Sequence, residues 1–261
     1  MPNPFYIPGE QRAVKVQNLF ARIARRYDLI NDVQSFGLHR LWKRRLVTLA
    51  QIRQGETALD VCCGTGDIAF ALARRGARVT GLDFSEPMLA VARARSRCLE
   101  SKGPSIQVPA PGDTIQIPEF VQGDAQQLPF RDDSFGAVTI GYGLRNLASW
   151  ETGLHEMQRV AVPGGRLLVL DFGKPDHRLW RAIYFGYLGF LVPLLGRVFC
   201  GSAEAYAYIM ESLRHYPAQR GVADQMRALG LVHVRTLNLL GGIMSINYGA
   251  KPKPGGGPAP N

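Results

Sequence analysis

Three carboxylates and two glycines near the first third of the chain carry the clearest chemical signal. Asp60 precedes and Asp67 follows the turn Cys62-Cys63-Gly64-Thr65-Gly66, and Asp83 closes the next apolar run. Gly64 and Gly66 let the backbone turn sharply and approach a ligand with no Cβ in the way. An acid in the place of Asp83 can accept both hydroxyls of a ribose. Together these residues describe a nucleoside pocket. A dinucleotide site would show G-x-G-x-x-G and cradle a pyrophosphate at the helix N-terminus. Here Asp60 and Asp67 would repel a pyrophosphate and favour a ligand carrying positive charge. An ordinary strand-to-helix turn with no ligand is the alternative, and the acid at ribose distance weighs against it.

Those residues need strands to hold them. Ala58–Cys62 is almost wholly apolar, as a strand covered on both faces must be. Ile68, Ala69, Leu72 and Ala73 recur at helical spacing, and a second strand ends on Asp83. Ser85 reads as the N-cap of a helix over Glu86–Cys98. Glu100–Glu119 reads as a surface loop with a small hairpin at Ile106–Val108 and Thr114–Ile117. Further strands fall at Glu119–Gln122, Gly136–Gly141 and Arg166–Asp171, with a helix over Trp150–Val160. A helix at Val222–Leu229 then leads to Val232–Leu237 and Ile243–Ala250, an antiparallel hairpin that closes the sheet. Such alternation predicts an α/β fold, Rossmann-like, with a seven-stranded mostly parallel sheet, an antiparallel last strand and helices on both faces.

In such a sheet the ligand lies beyond the carboxyl ends of the strands, so candidates are read there. Thr65 offers a hydroxyl to a ligand or to its own turn. Asp124 could accept an adenine amino group beside the Ala125 N–H, or simply cap a helix. Gly141–Asn146 places Arg145 and Asn146 at the active edge, where a cation and an amide can hold an oxyanion. A salt bridge from Arg145 to Glu156 or Asp171 is the other reading. The same loop lacks the N/D-P-P-Y/F pocket of base-amino methylation and the cysteine of cytosine C5 methylation, which tells against RNA as substrate.

The chain of 261 residues is long enough for one large domain with a full core. Its net charge of +10 calls for an acidic partner, RNA or an anionic membrane surface. Cys62, Cys63, Cys98 and Cys200 show no metal spacing and suggest a reducing compartment. No apolar signal segment and no run of 18 uncharged apolar residues is present. Residues 1–50 read as an N-terminal helical cap, helical from Gln11 to Ala50 with a break at Asp28–Gly37, and crowded with Arg22, Arg25, Arg26, Arg40, Lys43, Arg44 and Arg45. Residues 51–250 form the catalytic domain. Within it the uncharged stretch Ala182–Gly196 reads either as a buried cap helix or as an apolar lid, spanning about 175–215, that dips into a membrane interface. Residues 251–261 read as a disordered tail.

Several segments together resemble one family. The D-x-C-C-G-T-G-D pattern is similar to the first motif of S-adenosylmethionine (SAM)-dependent methyltransferases, with Cys62 where that motif has glycine. Y-D-L-I-N-D-V-Q-S-F-G-L-H-R-L-W (Tyr27–Trp42) resembles a signature of the demethylmenaquinone/ubiquinone C-methyltransferase family. Tyr27, Asp28, Asn31, Ser35, His39 and Trp42 fall in place, whereas Ile30 and Gln34 depart from it. R-V-A-V-P-G-G-R-L-L-V-L-D-F-G-K-P (Arg159–Pro175) resembles the second signature, with Val162, Asp171 and Gly173 as departures. The likeness runs from about Leu19 to Pro252, with Glu100–Pro118 longer than the family shows. It implies SAM as co-substrate, no metal, and methyl transfer to a ring carbon of a lipophilic quinol. SAM would be held by Asp60, Gly64, Thr65, Gly66, Asp83, Asp124 and Ala125. Arg145 and Asn146 would stabilise the quinolate oxygen, and Tyr27, with His39 or Asp171, would complete a proton path. The implied setting is the cytoplasm, with peripheral contact at the inner face of the plasma membrane, no nucleic-acid partner, and room for a homodimer.

Overall fold

The structure is a computed structural model that describes residues 31, 32, 34–101, 116–191, 212, 213 and 216–255. Seven strands form one sheet: β1 (Thr57–Val61), β2 (Arg78–Asp83), β3 (Glu119–Gln122), β4 (Phe135–Gly141), β5 (Ala161–Phe172), β6 (Val232–Leu239) and β7 (Met244–Ala250). Their order is β3-β2-β1-β4-β5-β7-β6. The first five neighbours pair in parallel, and β7 runs antiparallel between β5 and β6. The strand order reverses between β1 and β4, so the loops leaving those two strands splay apart and open a crevice.

Helices cover both faces: α1 (Leu38–Leu49), α2 (Asp67–Ala73), α3 (Glu86–Ser101), α4 (Trp150–Val160), α5 (Arg178–Gly186) and α6 (Ala218–Ala228). The period of two along β5 explains its unbroken apolar run. Leu167 and Val169 join Leu154 and Met157 of α4 and Val222 and Met226 of α6 in one core. Leu168 and Leu170 face the other way, against Leu46 and Val47 of α1 and Ile68 and Leu72 of α2. Each core strand is therefore greasy on both sides.

Among the described residues the expected strands and helices appear, with some differences in their bounds. β5 begins at Ala161, not Arg166; it runs through Pro163-Gly164-Gly165 with a shift of pairing opposite Phe135–Ala137, and Gly164 takes a φ of +80° to make the bulge. The break in the N-terminal helical region sits at Phe36–Gly37, where φ is +50° and +74°, while Asn31, Asp32, Gln34 and Ser35 are helical. Ser85 caps α3 only through its carbonyl, which accepts from the N–H groups of Met88 and Leu89; its hydroxyl is buried with no partner among the described residues. The first half of the Ala182–Gly196 stretch is helical, α5 passing into a π-turn at Tyr187–Leu191. Gln116–Pro118 is irregular. Residues 1–30, with Tyr27, Arg22, Arg25 and Arg26, the rest of the expected hairpin, residues 192–196, Cys200 and residues 256–261 lie outside the described residues. The expected disordered tail is tied down at its start, where Lys251 donates its N–H to the Gly165 carbonyl at 2.9 Å and its Nζ meets Asp133 at 2.7 Å. Among the described residues no helix is long and apolar enough to cross a membrane, and no cluster of metal-binding side chains occurs.

Candidate active site

An open cleft of about 900 Å³, counted to its mouth, lies over the carboxyl ends of β1, β2, β3 and β4. Its walls include Cys62 and Gly64 after β1, Asp83 to Ser85 after β2, and Gly123 to Gln126 after β3. The loop after β4 contributes Gly141, Tyr142, Gly143 and Asn146, and Met88 of α3 closes one side.

Asp83 is fixed at the rim. Its Oδ2 accepts the Gly64 N–H and its Oδ1 the Ser85 N–H, both at 2.8 Å. Burial raises its pKa against these two bonds and the nearby Phe84 N–H, which favour the charge. Three N–H groups leave the carboxylate acceptor capacity to spare, as a ribose contact needs. Gly64 has a φ of +56°, and a Cβ added there would meet only Met88 Cε at 4.0 Å, so the turn leaves open space beside it. Gly66 serves a different purpose: at φ +88° its missing side chain admits the rings of Phe120 and Phe70, which would lie 2.8 and 2.9 Å from a Cβ.

Two lining residues that are not glycine take positive φ, Cys62 at +53° and Tyr142 at +61°. The first explains why the family motif has glycine there; cysteine holds the conformation at about 1–3 kcal/mol of strain. Gly143 packs directly on it, since a Cβ at 143 would come within 2.4 Å of the Cys62 Cβ. Burial, with Asp83 and Asp60 nearby, pushes the Cys62 thiol well above its ordinary pKa. This thiol stays protonated and unreactive.

The acidic ring expected around the turn is only half realised. Asp60 is 1% exposed and lies beneath the cleft rather than in it. It accepts from Ala69 N–H at the start of α2 and from Thr139 Oγ1 of β4, at 3.1 and 2.9 Å. It therefore pins α2 to the sheet. Asp67 is met by the protein's own cations, Lys43 Nζ of α1 and Arg95 of α3, each at 2.8 Å. Asp83 and Asp124 are the acids that reach the cleft wall. Asp124 Oδ1 also accepts the Gln126 N–H at 2.9 Å in a tight turn, with no helix there for it to cap, and Ala125 lies beside it in the wall. Thr65 is 2% exposed, and neither it nor Gly66 lines the cleft; the Thr65 carbonyl instead accepts from Arg95 at 2.7 Å.

The residues expected to act on the quinol divide in the same way. Asn146 faces the cleft, with Nδ2 donating to the Tyr142 carbonyl at 3.1 Å. Arg145 does not line it. Its guanidinium sits 2.7 Å from Asp171 Oδ1, donates to the Tyr142 carbonyl at 2.6 Å, and lies 4.5 Å from the Phe172 ring centroid. Asp171 also accepts the Arg145 N–H at 3.2 Å. The salt-bridge alternative is thus the observed one, and the pair ties the end of β5 to the loop after β4. His39 is 3% exposed, and its Nε2 lies 2.8 Å from Asp32 Oδ1, so it anchors α1 to the preceding segment and not to the cleft. Burial lowers its pKa more than Asp32 restores it. Phe84, Met88, Gln126, Leu147 and Ala148 line the cleft without having been singled out from the sequence. Only Phe84 left a sequence trace, as the apolar residue directly after the rim acid.

The geometry suits SAM. Asp83 is held in place with acceptor capacity to spare, the Gly64 turn leaves room beside it, and Ser85 Oγ is an unsatisfied polar atom in the wall. The fold agrees: a SAM-dependent methyltransferase of Thermotoga maritima superimposes with a TM-score of 0.59 at 19% identity, covering 90% of this chain and 99% of that one. A demethylmenaquinone methyltransferase of Desulfitobacterium hafniense is 39% identical over 94% of this chain and 93% of its own length. A ubiquinone/menaquinone biosynthesis C-methyltransferase of Azotobacter vinelandii matches at 39%, again over 94% and 93%. The profile of the ubiE/COQ5 methyltransferase family spans residues 9–251, which takes in the glycine turn, the rim acids and the loop carrying Arg145 and Asn146. The chain belongs to that family of SAM-dependent methyltransferases.

Proposed function

We propose that the protein methylates a ring carbon of a polyprenylated quinol, converting demethylmenaquinol to menaquinol. The observation that carries this reading is the cleft that joins a nucleoside rim to the Asn146 loop in a chain so close to a demethylmenaquinone methyltransferase. SAM, when bound, supplies the electrophilic methyl group. Asp83 would hold its ribose, and Asp124 with the Ala125 N–H its adenine. A quinol carbon becomes nucleophilic when a hydroxyl loses its proton and pushes charge into the ring. Asn146 would donate to that oxygen. Arg145, locked by Asp171, positions the loop and adds a fixed positive charge one residue away. Tyr27 stays in the proton path on its match to the family signature alone; His39 and Asp171 are committed to Asp32 and Arg145. A lipophilic substrate and the net charge of +10 support peripheral contact with the inner face of the plasma membrane. A homodimer is compatible with this reading.

The test is to incubate the protein with methyl-labelled SAM and demethylmenaquinol and follow label into a lipid extract. Label in menaquinol is expected; release of label into no lipid product overturns the reading. Asn146→Ala and Arg145→Ala should each lower turnover about 100-fold. Turnover close to wild type in both would discard the assignment. Because Arg145→Ala strands a buried Asp171, its melting curve must be recorded alongside. The relative named for both ubiquinone and menaquinone biosynthesis favours a second reading, the ubiquinone precursor, and a parallel assay on that precursor and on the phylloquinone precursor separates them.

A further inference from the structure

One helix carries an exposed apolar face. The inner side of α5 buries Tyr184, whose hydroxyl donates to the Ile243 carbonyl at 3.2 Å. Its outer side shows Leu179, Ile183 and, in the π-turn, Phe190, which are 65, 53 and 77% exposed. Leu179 and Ile183, four residues apart, share one face of α5, and Phe190 stands beyond its end. Trp180 extends the face, its Nε1 donating to the carbonyl of exposed Leu240 at 3.0 Å. Tyr187 donates to the Gln34 carbonyl at 2.7 Å, which brings the N-terminal segment, with exposed Phe36, alongside. A solvent-exposed face of this kind needs a cover.

Charge selects the cover. Arg178 stands exposed at the head of α5, Arg44 and Arg45 stand exposed on α1, and the chain carries a net charge of +10. Apolar side chains flanked by exposed arginines, with a tryptophan at the boundary, are the composition of a helix lying in a lipid interface. We propose that the outer face of α5, together with the Leu240 turn and Phe36, docks on an anionic lipid leaflet. Lipid is chosen as the occupant because the proposed quinol resides there, so the choice rests on that reading. In this pose the Tyr184 side of α5 stays in the core while its outer side meets the bilayer.

The experiment compares wild type with the double variant Leu179→Asp/Ile183→Asp in sedimentation with vesicles of phosphatidylglycerol and phosphatidylcholine, at low and high salt. Both substituted residues are exposed and outside the cleft, and an unchanged melting curve verifies the fold. Wild type should bind anionic vesicles, more weakly at high salt, and the variant should bind about tenfold or more weakly. Both should methylate a truncated, water-soluble demethylquinol equally, while the variant loses turnover on long-chain quinol in vesicles. Absent wild-type binding, equal binding by the two proteins, or a dimer in sedimentation velocity that the substitutions split would each overturn the proposal. Failure to methylate any quinol, with vesicle binding as expected, would remove the substrate reading and leave the docking face standing.

Discussion

Asp60 and Asp67 stand on either side of one turn and titrate in opposite directions. Burial lifts Asp60 to about 7, beyond what the Thr139 and Ala69 bonds restore. Asp67 is also pushed up by burial, but Lys43 and Arg95 outweigh this and bring it to about 2. From the ordinary carboxylate range up to about pH 7, folded Asp60 holds a proton that the unfolded chain releases. Stability must therefore fall as pH rises across that window and level off above it. Asp60→Asn keeps the shape and removes this slope. The melting temperature of the variant relative to wild type should rise between pH 4.5 and pH 8, by roughly 5 °C for about 2 kcal/mol. A difference that stays constant across those pH values would show that Asp60 is charged in its site. The spacing in the sequence revealed these acids but not their surroundings. Lys43 and Arg95 lie 24 residues before and 28 residues after Asp67, and no local pattern links them.

At the scale of elements, α1 is fastened to the glycine turn. Lys43 bonds Asp67 at 2.8 Å and lies 5.9 Å from the ring centroid of Tyr142 in the cleft wall, so one side chain touches the loops of both β1 and β4. Lys43→Met keeps most of the stem and removes the charge, leaving Arg95 on Asp67. A loss of about 1 kcal/mol at pH 7 in urea unfolding is expected. The folded pKa of Asp67 is depressed, so its contribution is present above pH 4 and lost as pH falls toward 2. The gap between variant and wild type should therefore close at low pH; a gap unchanged at pH 3 would locate the effect in packing instead. β4 and β5 were legible because burial on two faces makes a continuous apolar run, and α4 because burial on one face imposes a helical period. The bulge in β5 was not, because Pro163-Gly164-Gly165 reads as a turn when its pairing partner is unknown. Nor was the identity of Arg145's partner, since Glu156 and Asp171 are both within reach along the chain and only the fold chooses between them.

Across the whole molecule, the division into an N-terminal cap and a catalytic domain follows the sequence but not the core. Leu46 and Ala50 of the cap region are fully buried and Val47 nearly so, in the same cluster as Ala137 of β4 and Leu168 and Leu170 of β5. That cluster joins α1 and α2 to five strands of the sheet, β1, β2, β4, β5 and β7. Removing α1 forfeits about 1.5–3 kcal/mol for each large side chain it buries, and it also exposes the β5 residues beneath, to which the same figure applies. Four such side chains, Leu46, Val47, Leu168 and Leu170, already reach the 5–15 kcal/mol that holds a typical fold together. A chain beginning at Gln51 is therefore expected to lose its cooperative urea transition at 25 °C and to bind SAM at least tenfold more weakly, because Lys43 leaves with the helix. Far-UV and near-UV circular dichroism across the transition, with calorimetric titration of SAM, check this. If the shortened chain unfolds cooperatively near the wild-type midpoint and binds SAM unchanged, residues 1–50 are an appended module, and the coupling of α1 to the cleft through Lys43 is without consequence.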